Sequence, residues 1–168
     1  MNCKEYYASK HTKVPSNFKK MFDAGYFGDA SFDPTSRTYD IHPDTPLPYT
    51  YELMTEGVDK LSLELLKAAN KTRSVFPRMF PRIQPQAVTY YIDLFVENGY
   101  IHIEDTPSGV RSLILTPQGR SYWNGLKDLP NKRKLENINL LLNTFAEPAG
   151  RLIGEAVGNA IAAANRAS

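Results

Sequence analysis

The sequence predicts a mainly α-helical protein with one small β-hairpin, and three observations support this fold class. Apolar residues follow the helical spacing of three and four over residues 88–96, and they alternate from Tyr100 onward. The spacing changes at Asn98-Gly99, a usual helix C-terminal signal. The segment Thr-Pro-Ser-Gly at 106–109 then joins two alternating runs as a type I turn would. The expected order is helix, hairpin, helix.

The first part of the chain, residues 1–50, is expected to form an aromatic arm and linker. It holds nine aromatic residues and five of the twelve prolines. Disordered tails are poor in aromatics, so the arm should pack on something, with a short helix from Ser16 to Ala24 and a Pro-rich linker over 33–48. Two alternatives stay open. The arm covers its own domain or a partner subunit, or it serves to bind a partner protein.

Residues 51–130 are expected to form the central domain. An apolar stripe at helical spacing predicts a first helix over 55–70. A short helix should follow, capped by Ser74 and ended by Pro81. After the hairpin, Thr116 can cap a further helix that has Pro117 at its first position. The third part, residues 131–168, is expected to form C-terminal helices that assemble copies of the chain.

Two motifs of the central domain are similar to those of a known family. Residues 84–100 contain a polar residue, a proline, Val-Thr, an isoleucine and the ending Glu-Asn-Gly-Tyr in the order found in the recognition helix of ArsR-type and MarR-type bacterial regulators. Residues 115–120, Leu-Thr-Pro-Gln-Gly-Arg, resemble the step by which the second wing strand of such proteins enters the next helix. Over residues 55–128 the resemblance implies a winged helix-turn-helix domain.

The resemblance implies sequence-specific binding of double-stranded DNA by a transcriptional regulator. Gln86 can contact adenine, while Thr89 and Tyr90 can reach a base or phosphate. Asp93 on the same helix opposes this interpretation, as does a wing whose only cation faces two carboxylates. The alternative is a winged-helix interaction module that binds protein and not DNA. The predicted DNA-contacting residues are Lys71, Arg73, Arg78, Arg82, Gln84, Gln86, Thr89, Tyr90 and Arg111.

The C-terminal part has small residues at every fourth position, which lets another backbone approach closely. Three interpretations stay open for this stripe: a two-fold dimer contact, packing against the protein's own helices, and membrane insertion. Charged residues interrupt the stripe, so a homodimer without membrane contact is expected. The predicted dimer residues are Leu141, Phe145, Gly150, Gly154, Gly158 and Ala162.

Composition and motifs exclude several function classes. The chain carries a formal net charge of +2 and a single cysteine, so neither a basic stripe nor a disulfide or cysteine-metal set is expected. Catalytic motifs are absent, which predicts a protein without enzymatic activity or cofactor. Asp40, His42 and Asp44 could bind a metal if extended, but they more often serve as solvated turn residues. A cytoplasmic location is expected.

Overall fold

The computed structural model describes residues 1–49 and 57–148. These residues form a mixed α/β fold, rich in helix, with two separate antiparallel two-stranded sheets. The predicted helix-rich class with a hairpin is confirmed at this level. The elements are α1 (Cys3–Ser9), α2 (Phe18–Asp23), β1 (Ser31–Asp33), β2 (Thr38–Asp40), α3 (Val58–Asn70), a 3-10 turn (Pro77–Met79), α4 (Pro85–Glu97), β3 (Ile101–Asp105), β4 (Arg111–Leu115), α5 (Pro117–Leu126) and α6 (Asn131–Thr144).

The N-terminal arm contains more regular structure than the sequence predicts. Helix α1 was not expected; it is held by a capping box in which the Asn2 side chain accepts from the Glu5 amide at 2.9 Å. The predicted linker is partly wrong, since it contains β2, which pairs with β1. Asp33 forms the turn between them by accepting a 2.9 Å hydrogen bond from the Thr35 amide. The predicted α2 is confirmed to within two residues.

The arm builds a small core of its own. Its buried members are mostly aromatic, and their rings meet edge to face, as Tyr6 and Tyr7 do at 5.2 Å between centroids. The arm therefore packs within the chain, in line with the first of the two alternatives for it. The buried residues of this core are Tyr6, Tyr7, Phe18, Met21, Phe27 and Ile41.

The larger core surrounds α3, which contacts α4, α5, α6 and β4. Eight of the thirteen residues of α3 are buried, so this helix is enclosed on most of its circumference. The β3–β4 hairpin adds a buried face through Ile101, Leu113 and Leu115. Helix α6 closes the core with Ile138, which is fully buried.

The segment between α3 and α4 differs from the sequence prediction. The prediction of a helix capped by Ser74 is wrong. Only the 3-10 turn forms, because the prolines at 77 and 81 leave too few amide donors for an α-helix. Ser74 instead pairs through its backbone with the end of the arm. Its amide donates to Leu47 at 3.1 Å, and its carbonyl accepts from Tyr49 at 2.9 Å.

The start of α5 is confirmed as predicted. The Thr116 hydroxyl accepts a 3.0 Å hydrogen bond from the Gly119 amide and donates to the Gly99 carbonyl, tying the helix to the end of α4. A Cβ on Gly119 would lie 2.0 Å from the Tyr100 carbonyl oxygen, so only glycine permits this approach. The predicted small-residue stripe, from Gly150 onward, lies outside the described residues.

Candidate nucleic-acid interface

The start of α4 lies in the most cationic part of the sequence. Residues 65–92 contain five lysines or arginines and no aspartate or glutamate. Within this window the short stretch that leads into α4 is mostly at the surface: Arg82, Gln84, Pro85 and Gln86 are exposed. The segment is therefore accessible and carries no carboxylate of its own.

The local sequence explains how α4 begins. Gln84 has extended backbone angles, and Pro85 takes the first helical position, where its missing amide costs nothing. The Gln84 carbonyl accepts from the Ala87 amide at 2.9 Å, while its side chain makes no capping hydrogen bond. The Gln84 side chain therefore does not cap the helix, and the positive end of the helix dipole faces the exposed segment.

One turn further, Thr89 and Tyr90 are placed differently from each other. The Thr89 hydroxyl donates to the Pro85 carbonyl at 3.2 Å, so its proton is used within the helix and its methyl group stays exposed. Tyr90 is half-buried, with its ring 5.2 Å from that of Tyr91. Burial, and then the charge and hydrogen bond of Glu147, raise the pKa of Tyr90. Its half-buried ring and the neighbouring Glu147 carboxylate make Tyr90 a less favourable phosphate contact than an exposed side chain.

Asp93 opposes DNA binding less than the sequence suggests. The residue is half-buried, and its Oδ2 atom is inaccessible to solvent. The charge of Asp93 is therefore less exposed on α4 than the side chains of Gln86 and Thr89.

Arg78 connects the central domain to the arm. Its guanidinium lies 4.6 Å from the ring centroid of Tyr26 and 5.0 Å from that of Phe76, and it donates to the Ala24 carbonyl. Tyr26 and Phe76 stack with their planes 8° apart. Arg78 is exposed, and these cation–π contacts hold its guanidinium against the arm, so its phosphate contact stays a prediction.

Lys71 and Arg73 lie in the turn after α3, at the opposite side of the 3-10 turn from α4. Lys71 is exposed. Arg73 is half-buried, and its Nη1 atom lies 3.4 Å from the Pro48 carbonyl of the arm. Both side chains line a cleft between the arm and the β3–β4 hairpin. None of the predicted residues at the start of α4 lines this cleft.

The tip of the β3–β4 hairpin does not project into solvent. Its tip packs beneath the arm: Ser108 is 1% exposed, and its carbonyl accepts a 3.1 Å hydrogen bond from the Asp29 amide. Arg111, the hairpin's predicted phosphate contact, forms a 3.0 Å ion pair with Asp105. Local sequence patterns do not indicate the contact with the arm, because Gly28 and Asp29 lie far from the hairpin along the chain.

Two of the predicted dimer residues have contacts within the chain. Leu141 and Phe145 are half-buried against the larger core, and the Phe145 ring lies 5.2 Å from that of Phe95. The Asn98 side chain holds the segment after α6 by donating to the Ala146 carbonyl at 3.0 Å and accepting from its amide at 3.1 Å. Leu141 and Phe145 therefore stabilise the fold of a single chain.

The predicted alternative of a metal at Asp40, His42 and Asp44 gains no support. Asp40 accepts from the Met1 amino group at 2.8 Å, and His42 accepts from the Asp44 amide at 3.1 Å. Over residues 1–49 and 57–148, no three potential ligands are grouped to hold a metal. In the same part of the chain, no helix is long and apolar enough to cross a membrane.

Comparison with known proteins gives no match. No protein-family model matches the chain, and neither a curated protein nor a solved structure is similar to it at a significant level.

Proposed function

We propose that the chain is a winged-helix protein that binds double-stranded DNA through the N-terminal end of α4 and regulates transcription. The observation that carries this proposal is the exposed start of α4, where Gln84 and Gln86 stand at the positive end of the helix and Arg82 is exposed just before it. Helix N-termini and arginine contact phosphates, and glutamine can pair with the major-groove edge of adenine.

In this proposal some residues orient the helix on the DNA backbone, and others recognise bases. Arg82 and the amides at the start of α4 contact phosphate and orient the helix, which adds affinity without sequence preference. Gln86, one position beyond Pro85, reaches a base edge. Thr89 offers its exposed methyl group to thymine, since its hydroxyl proton is used in the helix. The proposed DNA surface is thus Arg82, Gln84, Gln86 and Thr89, a subset of the nine residues predicted.

The covered hairpin limits how this winged helix contacts DNA. Because Ser108 at the hairpin tip is buried by the arm, the wing does not reach a neighbouring groove. Binding through one helix end implies few phosphate contacts per chain, and therefore a modest affinity. A homodimer would double those contacts, and it remains a prediction of the sequence.

A second candidate function is protein binding, and a specific observation favours it. Ile92 and Val96 of α4 pack against the larger core but are only half-buried, so part of their apolar surface stays accessible. The hairpin also presents Glu104 to solvent, while the charge of Asp105 is paired with Arg111, and an exposed carboxylate suits a basic protein surface better than phosphate. Under this alternative, α4 and the hairpin serve as a docking surface and duplex DNA has no affinity for the chain.

A binding experiment separates the two functions. Fluorescence anisotropy of a random-sequence duplex at low salt should show binding, and selection from that pool should enrich a preferred site. Gln86→Ala should then weaken binding to the preferred site by about 1–3 kcal/mol and leave random duplex unaffected. Asn124→Ala, an exposed substitution on α5, is the matched control and should change neither. If no sequence is enriched and low salt gives no binding, the protein-binding function replaces this one.

A further inference from the structure

A cleft of about 580 Å³ lies where the arm, the turn after α3 and the β3–β4 hairpin meet. This volume is within the range of sites for small molecules, roughly 300–1,000 Å³. None of the four residues of the proposed DNA surface lines the cleft. It is therefore a separate feature of the molecule, and a ligand could bind in it whether or not the chain binds DNA. Its charged lining residues are Lys10, Asp44, Lys71, Arg73, Glu104 and Asp105.

Arg73 places a half-buried positive charge in the cleft. Its guanidinium makes a single hydrogen bond within the described residues, a 3.4 Å contact with the Pro48 carbonyl, and no carboxylate there forms an ion pair with it. Burial lowers the pKa of Arg73, an effect that the nearby phenols of Tyr6 and Tyr7 oppose. A partly desolvated guanidinium without an anionic partner is a costly arrangement. A bound anion would remove that cost.

The opposite wall of the cleft comes from the hairpin and carries the opposite charge. Ser112 pairs with Glu104 across the two strands, so their side chains share one face of the hairpin, and both line the cleft. The Arg73 carbonyl accepts a 2.9 Å hydrogen bond from the Leu113 amide, which places Arg73 beside this strand. Glu104 forms no ion pair within the part of the chain described, whereas Asp105 already pairs with Arg111.

We infer that the cleft binds a small zwitterionic molecule, whose carboxylate pairs with Arg73 and Lys71 and whose ammonium group pairs with Glu104. The charges of the two walls disfavour ligands that carry charges of only one sign. A polyanion would be repelled by Glu104 and Asp44, and a dication by Lys10, Lys71 and Arg73. Ser112, which is 3% exposed, can hydrogen-bond the ligand between the two charges. Since the two charged walls belong to the turn after α3 and to the hairpin, the ligand also bridges these two parts.

Three compounds of similar length test the charge pattern on the full chain. They are 5-aminopentanoate, with one charge of each sign, glutarate, with two carboxylates, and 1,5-diaminopentane, with two ammonium groups. Inorganic phosphate serves as a bare anion. We expect 5-aminopentanoate to cause saturable shifts in the amide NMR signals of Thr72, Glu104 and Ser112, and to bind about tenfold or more tightly than the other three, since each unmatched charge loses a charge-assisted hydrogen bond.

Variants locate the site. Arg73→Gln and Glu104→Gln should each weaken 5-aminopentanoate by about tenfold, whereas Arg120→Gln, at an exposed position of α5 outside the cleft, should leave its affinity unchanged. Arg73 is half-buried, so Lys71→Gln at an exposed position provides a second loss of the cationic wall that does not threaten folding. The inference is overturned if glutarate or phosphate binds as tightly as 5-aminopentanoate, if no probe gives saturable shifts, or if the Arg120 variant loses binding as the cleft variants do.

Discussion

The Asp29 amide in the N-terminal arm donates a 3.1 Å hydrogen bond to the Ser108 carbonyl at the tip of the β3–β4 hairpin. The preceding residue, Gly28, approaches the same tip so closely that a Cβ there would lie 2.1 Å from the Ser108 oxygen. The arm and the hairpin are thus joined backbone to backbone. This junction removes the hairpin from the surface available to DNA and forms one side of the charged cleft.

We expect Gly28→Ala to break this junction. Gly28 has φ of +63°, so the substitution incurs left-handed backbone strain as well as the clash with Ser108. The matched control is Gly25→Ala: Gly25 has φ of +82°, but the nearest atom to its added Cβ is 3.8 Å away. Urea unfolding should show Gly28→Ala to be about 1–3 kcal/mol less stable than the control. Equal stability of the two variants would show that the arm does not contact the hairpin in solution.

A second pair of glycines in α5 tests how the helix is positioned. Gly119→Ala would place a Cβ 2.0 Å from the Tyr100 carbonyl, whereas Gly125→Ala meets no atom within 4 Å. The first should destabilise the protein by about 1–3 kcal/mol through overpacking. The second should be neutral or stabilising by up to about 1 kcal/mol, since alanine favours helix. Thermal unfolding of the two variants measures this difference, and a reversed order would contradict the placement of α5.

Glu64 should make stability depend on pH. This side chain of α3 is 9% exposed and accepts a hydrogen bond from the Tyr49 hydroxyl. Burial raises the pKa of Glu64, partly opposed by Lys67 and Lys71. Because the folded-state pKa lies above the unfolded value of about 4.3, ionisation disfavours the folded state, and stability falls as pH rises through the folded-state pKa.

The neutral variant Glu64→Gln should therefore unfold at a higher temperature than the parent protein at pH 7. The gain should vanish as the pH falls toward about 4, where the parent carboxyl is protonated in both states. Glu136→Gln, at an exposed position on α6, is the control and should show no such pH-dependent gain. If Glu64→Gln is less stable than the parent at pH 7, the ion pair with Lys67 outweighs the cost of burial.

Phe145 separates the sequence prediction of a dimer contact from the intramolecular role seen in the structure. Its ring lies 5.2 Å from Phe95 and 5.3 Å from Tyr100. Phe145→Ala should cost about 2 kcal/mol, less than a fully buried phenylalanine, and leave the subunit number unchanged. Leu140→Ala, at a position 67% exposed, should change stability by about 0.5 kcal/mol at most. Sedimentation measures the subunit number, and a change in that number for Phe145→Ala would support the predicted role of Phe145 as a dimer contact.

Local signals allowed part of the structure to be predicted. The start of α4 at Pro85, its end near Gly99 and the Thr116 cap follow from residues next to each other, so sequence patterns suffice. The contacts that decide the site could not be predicted in this way. Arg78 stacks on Tyr26, and the hairpin tip meets Gly28, because the arm folds back across the central domain. Such long-range packing leaves no periodic pattern in the sequence.

The salt dependence of duplex binding tests the central claim most directly, because it counts phosphate contacts. The logarithm of the binding constant should fall linearly with the logarithm of salt concentration, by about 0.9 per phosphate contacted. Arg82→Gln, at the start of α4, should reduce this slope by about one and weaken all sequences alike, whereas Arg111→Gln, on the covered hairpin, should leave the slope unchanged. A duplex affinity that is absent at low salt, or a slope that depends on Arg111 and not on Arg82, would contradict DNA binding through the end of α4.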